Sequence, residues 1–199
     1  MSKPSCDLNG PHPTSGPVVA ADPNELPGAP PPSPNGRILY ENLGIRIDKD
    51  CVWHYHGSPI RRKELVCMFA HALTRDGDGR HWLVTPAEVG PIEVEDSAFL
   101  AVEMFVGGRD ETQTISFRTD VDEIVTVDAD HPLRAVRDPL TGETVPYVTM
   151  RHRLEARVIR PVYYELAALG FEDEMDGSRC VVVWSSGLRF SLGVLEEVV

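Results

Sequence analysis

The sequence predicts an α+β protein: two small domains with a repeated strand–helix–hairpin motif and a mainly antiparallel sheet, behind a disordered proline-rich tail. Three observations predict it. The first 36 residues hold ten of the seventeen prolines. Beyond them, apolar residues alternate with polar ones in short runs punctuated by Gly and Asp, the pattern of half-buried strands. Two segments break that period with helical spacing, and similar elements flank both. The expected organisation is a tail over 1–37 and α+β domains over 38–96 and 97–199.

In the tail, proline removes backbone donors and blocks helix, and there is little to bury, so the segment should stay extended and mobile. Pro30–Pro34 has the makings of a PxxP ligand, but a solvated tail is the plainer reading. Ordered structure should start near Arg37 or Ile38. Alternation at Ile45 and Ile47, then at Cys51, Trp53 and Tyr55, predicts two strands around Asp48-Lys49-Asp50. Ser58 and Pro59 have the chemistry of an N-cap and a first helical residue. Leu65, Met68, Phe69 and Ala72 would then form one buried stripe, ended by Asp76-Gly77-Asp78-Gly79. Two strands, His81–Thr85 and Ile92–Glu95, should be joined through Pro86 and Gly90-Pro91.

Further along, Phe99–Val106 and Thr112–Thr119 read as a hairpin, with Glu123–Asp128 and Thr144–Met150 as later strands. Asp130-His131-Pro132 reads as a turn. A second helix is expected from about Pro161 to Leu169, stopped by Gly170. Arg179–Trp184 and Leu188–Leu192 close the chain as a hairpin around Ser185-Ser186-Gly187. The order of elements over 51–95 thus returns over 145–193, about 100 residues later, aligning Leu73 with Leu169. Two such units facing each other would leave a cleft, a preferred place for ligands.

Bulk composition excludes several functions. At 42% apolar, the 199 residues can bury a real core. A net charge of −12 repels phosphate backbones and anionic headgroups, so no nucleic-acid or membrane partner is expected. No apolar run is long enough to span a bilayer, and 1–34 contains no signal-peptide core, which predicts a cytoplasmic protein. Cys6, Cys51, Cys67 and Cys180 form no CxxC pair and are expected as free thiols.

Few constellations suggest chemistry. Cys51, His54 and His56 come nearest to a metal signature, but on a strand Cys51 points away from the histidines, so no metal is expected. Asp76-Gly77-Asp78-Gly79 opens like a calcium loop and fails at Arg80 and at Ala87, the twelfth position. Glu93 and Glu95 read as one solvated strand face, and Glu88, in a Pro/Gly-bounded loop, is the more interesting carboxylate. Nucleophile-elbow, Walker A and dinucleotide-binding motifs are absent, and no cofactor is expected.

The most unusual stretch is Arg151–Arg160, with four arginines and one acid in an acidic chain. Guanidinium forks suit phosphate and carboxylate, and the helix near Pro161 would add its dipole. The plainer alternative is that these arginines pair with the abundant Asp and Glu.

Five strings occur together in order: GIRIDKDCVWHYHGSPIRRKELVCMFA, HWLVTPAEVGPIEVEDSAFLAVEM, FRTDVDEIV, DHPLR and RPVYYELAALG. As a set they resemble the bacterial DUF1285 family over about Leu39 to Gly193. The resemblance implies a two-domain α+β fold with a repeated motif, a nucleotide-like ligand in the interdomain cleft and a signalling role. The leading expectation is therefore a non-enzymatic protein binding a small anionic, nucleotide-type ligand. Arg118, Arg134, Arg151 and Arg160 would contact phosphate. Tyr147, Tyr163 or Tyr164 would stack on a base, and Glu88 would line the site. A hydrolase of a phosphorylated small molecule using Glu88 or Glu93, and a protein-interaction module, stand as alternatives.

Overall fold

The structure, a computed structural model, describes residues 37–138, 142–175 and 177–195. The expected tail falls outside them, apart from its last residue. The chain divides into two compact units between Asp96 and Ser97.

In the first unit, β1 (Ile38–Leu39), β2 (Ile45–Ile47), β3 (Trp53–Tyr55) and β4 (Ser58–Pro59) precede helix α1 (Lys63–His71). Three strands follow it: β5 (Leu73–Arg75), β6 (His81–Val84) and β7 (Glu88–Val94). They form one seven-stranded sheet of order β4-β3-β2-β7-β6-β5, with β1 also on β7. Strand β7 is the hub. It pairs antiparallel with β6 and parallel with β1 and β2 in succession. Alternation seats Ile45, Ile47 and Trp53 in the core, and the Trp53 ring stacks on Phe69 of α1 at 6.2 Å between centroids.

Several expectations are corrected in this unit. Ser58 and Pro59 form an edge strand rather than a helix start, because His56 and Gly57 adopt positive φ and turn the chain back so that Ser58 pairs with Tyr55. The helix opens four residues later, at Lys63, so a different stripe is buried. Cys67 and Ala70 face the core and Met68 is 56% exposed. The continuous apolar run Leu65–Ala70 offers two stripes, and sequence period alone does not choose between them. Asp76–Gly79 closes the β5–β6 hairpin instead of ending the helix. Gly90-Pro91 lies inside β7 rather than joining two strands. There the bare glycine admits Leu43, whose Cγ would sit 2.7 Å from an added Cβ. Of the cysteines, Cys51 and Cys180 are free and buried, and Cys67 is buried in the helix.

The second unit begins with β8 (Phe99–Gly107), β9 (Thr114–Thr119), β10 (Ile124–Thr126), β11 (Leu133–Arg137), β12 (Thr144–Thr149) and β13 (Glu155–Val158). These make a six-stranded sheet of order β10-β9-β8-β13-β12-β11, antiparallel except where β13 meets β8. Helix α2 (Arg160–Ala167) follows, with Pro161 in its first turn and Val162 and Leu166 buried one turn apart. Strands β14 (Phe171–Met175), β15 (Ser178–Ser185) and β16 (Leu188–Val194) form an antiparallel meander.

Period two splits the six-stranded sheet into two chemistries. Phe99, Ala156, Val148 and Leu133 lie side by side in register and are buried. One residue along, Leu100, Arg157, Tyr147 and Arg134 form the matching row on the opposite face. The meander is tied to the sheet by buried Ser185, whose hydroxyl donates to the Val127 carbonyl at 2.6 Å and accepts from the Ile115 N–H at 2.9 Å. The described residues are mostly sheet with two α-helices. The α+β expectation is met only in part: strands predominate, and each described helix is followed by three antiparallel strands.

Candidate functional site

The second unit gathers the charged chemistry. Strand β10 and the bend before it carry Glu123, Ile124, Val125 and Thr126, and the turn beyond holds Asp128 and His131. With Met150 and Arg151 from the end of β12 they line a cavity of about 310 Å³. Arg151 reaches it from a tight 3-10 turn, Arg151–Arg153, in which His152 and Arg153 both have positive φ. Its guanidinium forks onto Glu123, with Nη2 to Oε1 at 2.6 Å and Nε to Oε2 at 3.2 Å. Both side chains are well shielded, at 29% and 18% exposure. On the other side, Asp128 accepts from the backbone N–H of His131 at 2.8 Å and faces its ring at 3.1 Å. Burial alone would raise the Asp128 carboxyl, but these bonds outweigh it and hold the group below the usual carboxylate range.

Arg118 lies on β9, the strand beside β10. It lies in register with Ile124, a cavity wall, and pairs with Asp122 at 2.8 Å and Glu103 at 2.6 Å. Arg134 and Tyr147 come together on the exposed sheet row, the guanidinium 4.5 Å above the ring, while Arg134 forks onto Glu155. Arg160 stands apart at the start of α2. There it donates to the Tyr164 hydroxyl at 2.9 Å and to Glu143 at 2.9 Å. Tyr163 is half-buried beside Tyr164, with rings 6.2 Å apart. The structure thus places the four arginines in three clusters of one unit, each with a carboxylate partner, and Glu88 in the other unit.

Glu88 lines a second cavity, of about 380 Å³, with Tyr40, Asn42, Leu43, Ile45, Tyr55, His56, Phe69, Leu83 and Thr85. Its carboxylate accepts from the Tyr40 hydroxyl at 3.3 Å. The Cys51, His54 and His56 set does not assemble. Cys51 is buried, His54 Nε2 bonds Asp48 Oδ2 at 2.8 Å, and the His56 ring lies against Gly44. Among the described residues no three His, Cys, Asp or Glu side chains are grouped to hold a metal ion. No helix there is long and apolar enough to cross a membrane.

Glu123, Asp128, His131 and Met150 went unmarked as site residues, because they reach the cavity from separate strands and turns. Only Asp130-His131-Pro132, as a turn, carried any signal of its own.

Two family models match this chain one after the other. One, a domain of unknown function (DUF1285), N-terminal domain, covers residues 37–97. The other, a protein of unknown function (DUF1285), C-terminal domain, covers 98–192. The chain belongs to the DUF1285 family. A crystal structure of a DUF1285 family protein from Silicibacter pomeroyi is 37% identical, covering 81% of this chain and 86% of its own, with a TM-score of 0.73. A DUF1285 family protein from Shewanella baltica is 19% identical over 65% of this chain and 94% of its own, with a TM-score of 0.49. No curated protein matches the chain.

Proposed function

We propose that the chain is a non-enzymatic binding protein for a small anionic ligand, taken up at the cavity beside Arg151. The observation that supports this is the Arg151–Glu123 fork at the cavity wall. A carboxylate already occupies the guanidinium bidentately, which is how the same donors would hold a phosphate or a ligand carboxylate. Glu123 acts as a placeholder, keeping the fork oriented until the ligand exchanges for it. Preorganisation of this kind lowers the ordering cost of binding. Binding without chemistry accords with the signalling role that the family resemblance implies, since occupancy would then be reported to a partner.

Thermal unfolding against nucleotides, sugar phosphates and inorganic phosphate tests the reading. A ligand at about 100 times its Kd adds roughly 2.7 kcal/mol of stability. One anion class should raise the midpoint, and Arg151→Ala should weaken it about tenfold or more, as loss of a charge-assisted pair requires. Glu123→Gln should tighten the same anion by removing its competitor. Anion affinity unchanged in both variants would remove the cavity from consideration.

A further inference from the structure

The second cavity lies wholly in the first unit, and its lining holds one carboxylate, Glu88, with no lysine or arginine. Its floor is apolar, built from Leu43, Ile45, Phe69 and Leu83, and its rim carries Tyr40, Tyr55, His56 and Glu88. Two close approaches give it shape. Leu43 is seated over Gly90, where only a glycine leaves room. The His56 ring lies over Gly44, whose φ of +67° and missing Cβ let it approach, and it leans on Tyr55 with centroids 4.3 Å apart. Asn42 Oδ1 accepts from the Gly44 N–H at 2.6 Å and fixes the loop that carries Leu43.

Glu88 brings a negative charge to this aromatic surround. Its carboxylate contacts a phenol, the Tyr40 hydroxyl, where Glu95, Glu103, Glu123 and Glu155 each hold an arginine. The Glu88 charge in turn holds the Tyr40 phenol above its ordinary range, so Tyr40 stays a neutral donor. A carboxylate in a cavity lined by tyrosine and phenylalanine rings favours a cation, through charge pairing and cation–π attraction together. The volume is within the range of small-molecule sites. We infer that this cavity binds a small organic ammonium ligand with an apolar body, its charge on Glu88 and its body against Phe69, Leu83 and the tyrosine faces.

The full chain would be titrated by calorimetry with 2-phenylethylamine and, in parallel, with 3-phenylpropionate, a probe of similar size and opposite charge. Saturable binding of the amine at roughly millimolar Kd or tighter, with none of the acid, is the expected result. Glu88→Gln should weaken the amine about tenfold, while Glu93→Gln, an exposed acid on the same strand, should leave it unchanged. Circular dichroism confirms that both variants are folded. Equal binding of the two probes, no saturable amine binding, or full amine affinity in a folded Glu88→Gln variant would each overturn the inference.

Discussion

Phe99→Ala is expected to cost about 3–5 kcal/mol of unfolding free energy, the usual loss when a buried aromatic leaves a cavity that its surroundings fill only in part. Phe99 is 0% exposed and opens β8 where that strand meets β13 in the parallel pairing of the six-stranded sheet. Its neighbours in register are Ala156, then Val148 and Leu133, all buried. Ala156 is too small to close the gap from the side. The measurement is urea unfolding, in which the midpoint should fall by roughly 1 M or more with the slope unchanged. Phe105→Ala is the internal comparison, since Phe105 lies farther along β8 and is 45% exposed. It should stay within about 0.5–1 kcal/mol of the parent. Similar losses at the two positions would mean that the buried row does not carry the sheet.

Phe99 also marks what was legible in the sequence. Strong alternation with aromatic or β-branched residues identified β2, β3, β8, β9, β15 and β16, because each side-chain set dictates which face is buried. The turn before β16 was legible too, since Ser186 and Gly187 both take the positive φ that a two-residue hairpin demands. Strands β5, β11, β13 and β14 were not. Sequences such as Glu155-Ala-Arg-Val and Phe171-Glu-Asp-Glu-Met are rich in charge and hold few bulky apolar residues. They become strands because a partner already in the sheet accepts them, and sequence does not announce the partner. Leu73 misled for a related reason. It extends the helical spacing from Phe69, yet it begins β5 opposite Leu83.

The candidate sites were less legible than the fold. Arg151 could be singled out by the density of charge around it, but its carboxylate stands 28 residues away, and that of Arg134 stands 21 away. Ion pairs of that kind are set by register across a sheet. The cavity near Glu88 is assembled from the loop before β2, the turn after β3, one face of α1 and four strands. No short motif encodes such a set, so Glu88 drew notice for its loop context and His56 as part of a metal signature, neither for its neighbours here.

Asp76→Ala is expected to destabilise the chain by about 1–3 kcal/mol, the cost of leaving donors without their acceptor. Asp76 stands at the first corner of the β5–β6 hairpin. Its Oδ1 accepts from the N–H groups of Asp78 and Arg80 at 3.0 and 2.9 Å, and its Oδ2 accepts from Trp82 Nε1 at 2.8 Å. Trp82 is buried, so its indole N–H has no ready replacement in water. Desolvation pushes the Asp76 carboxyl up, but these donors outweigh it, and the group titrates below its ordinary range. A depressed folded-state pKa means the stabilisation is fully present above the unfolded value, about 3.9, and is lost as pH falls through the lower folded value. Asp48, Asp128 and Asp173 are depressed as well, so the whole chain should weaken in acid. The Asp76 share is isolated by difference. Urea midpoints of the parent and of Asp76→Asn should stand well apart at neutral pH and converge below the unfolded carboxylate pKa, about 3.9. Asparagine keeps one acceptor oxygen but no charge, so a gap that stayed constant across that interval would show the donors do not depend on the ionised carboxylate.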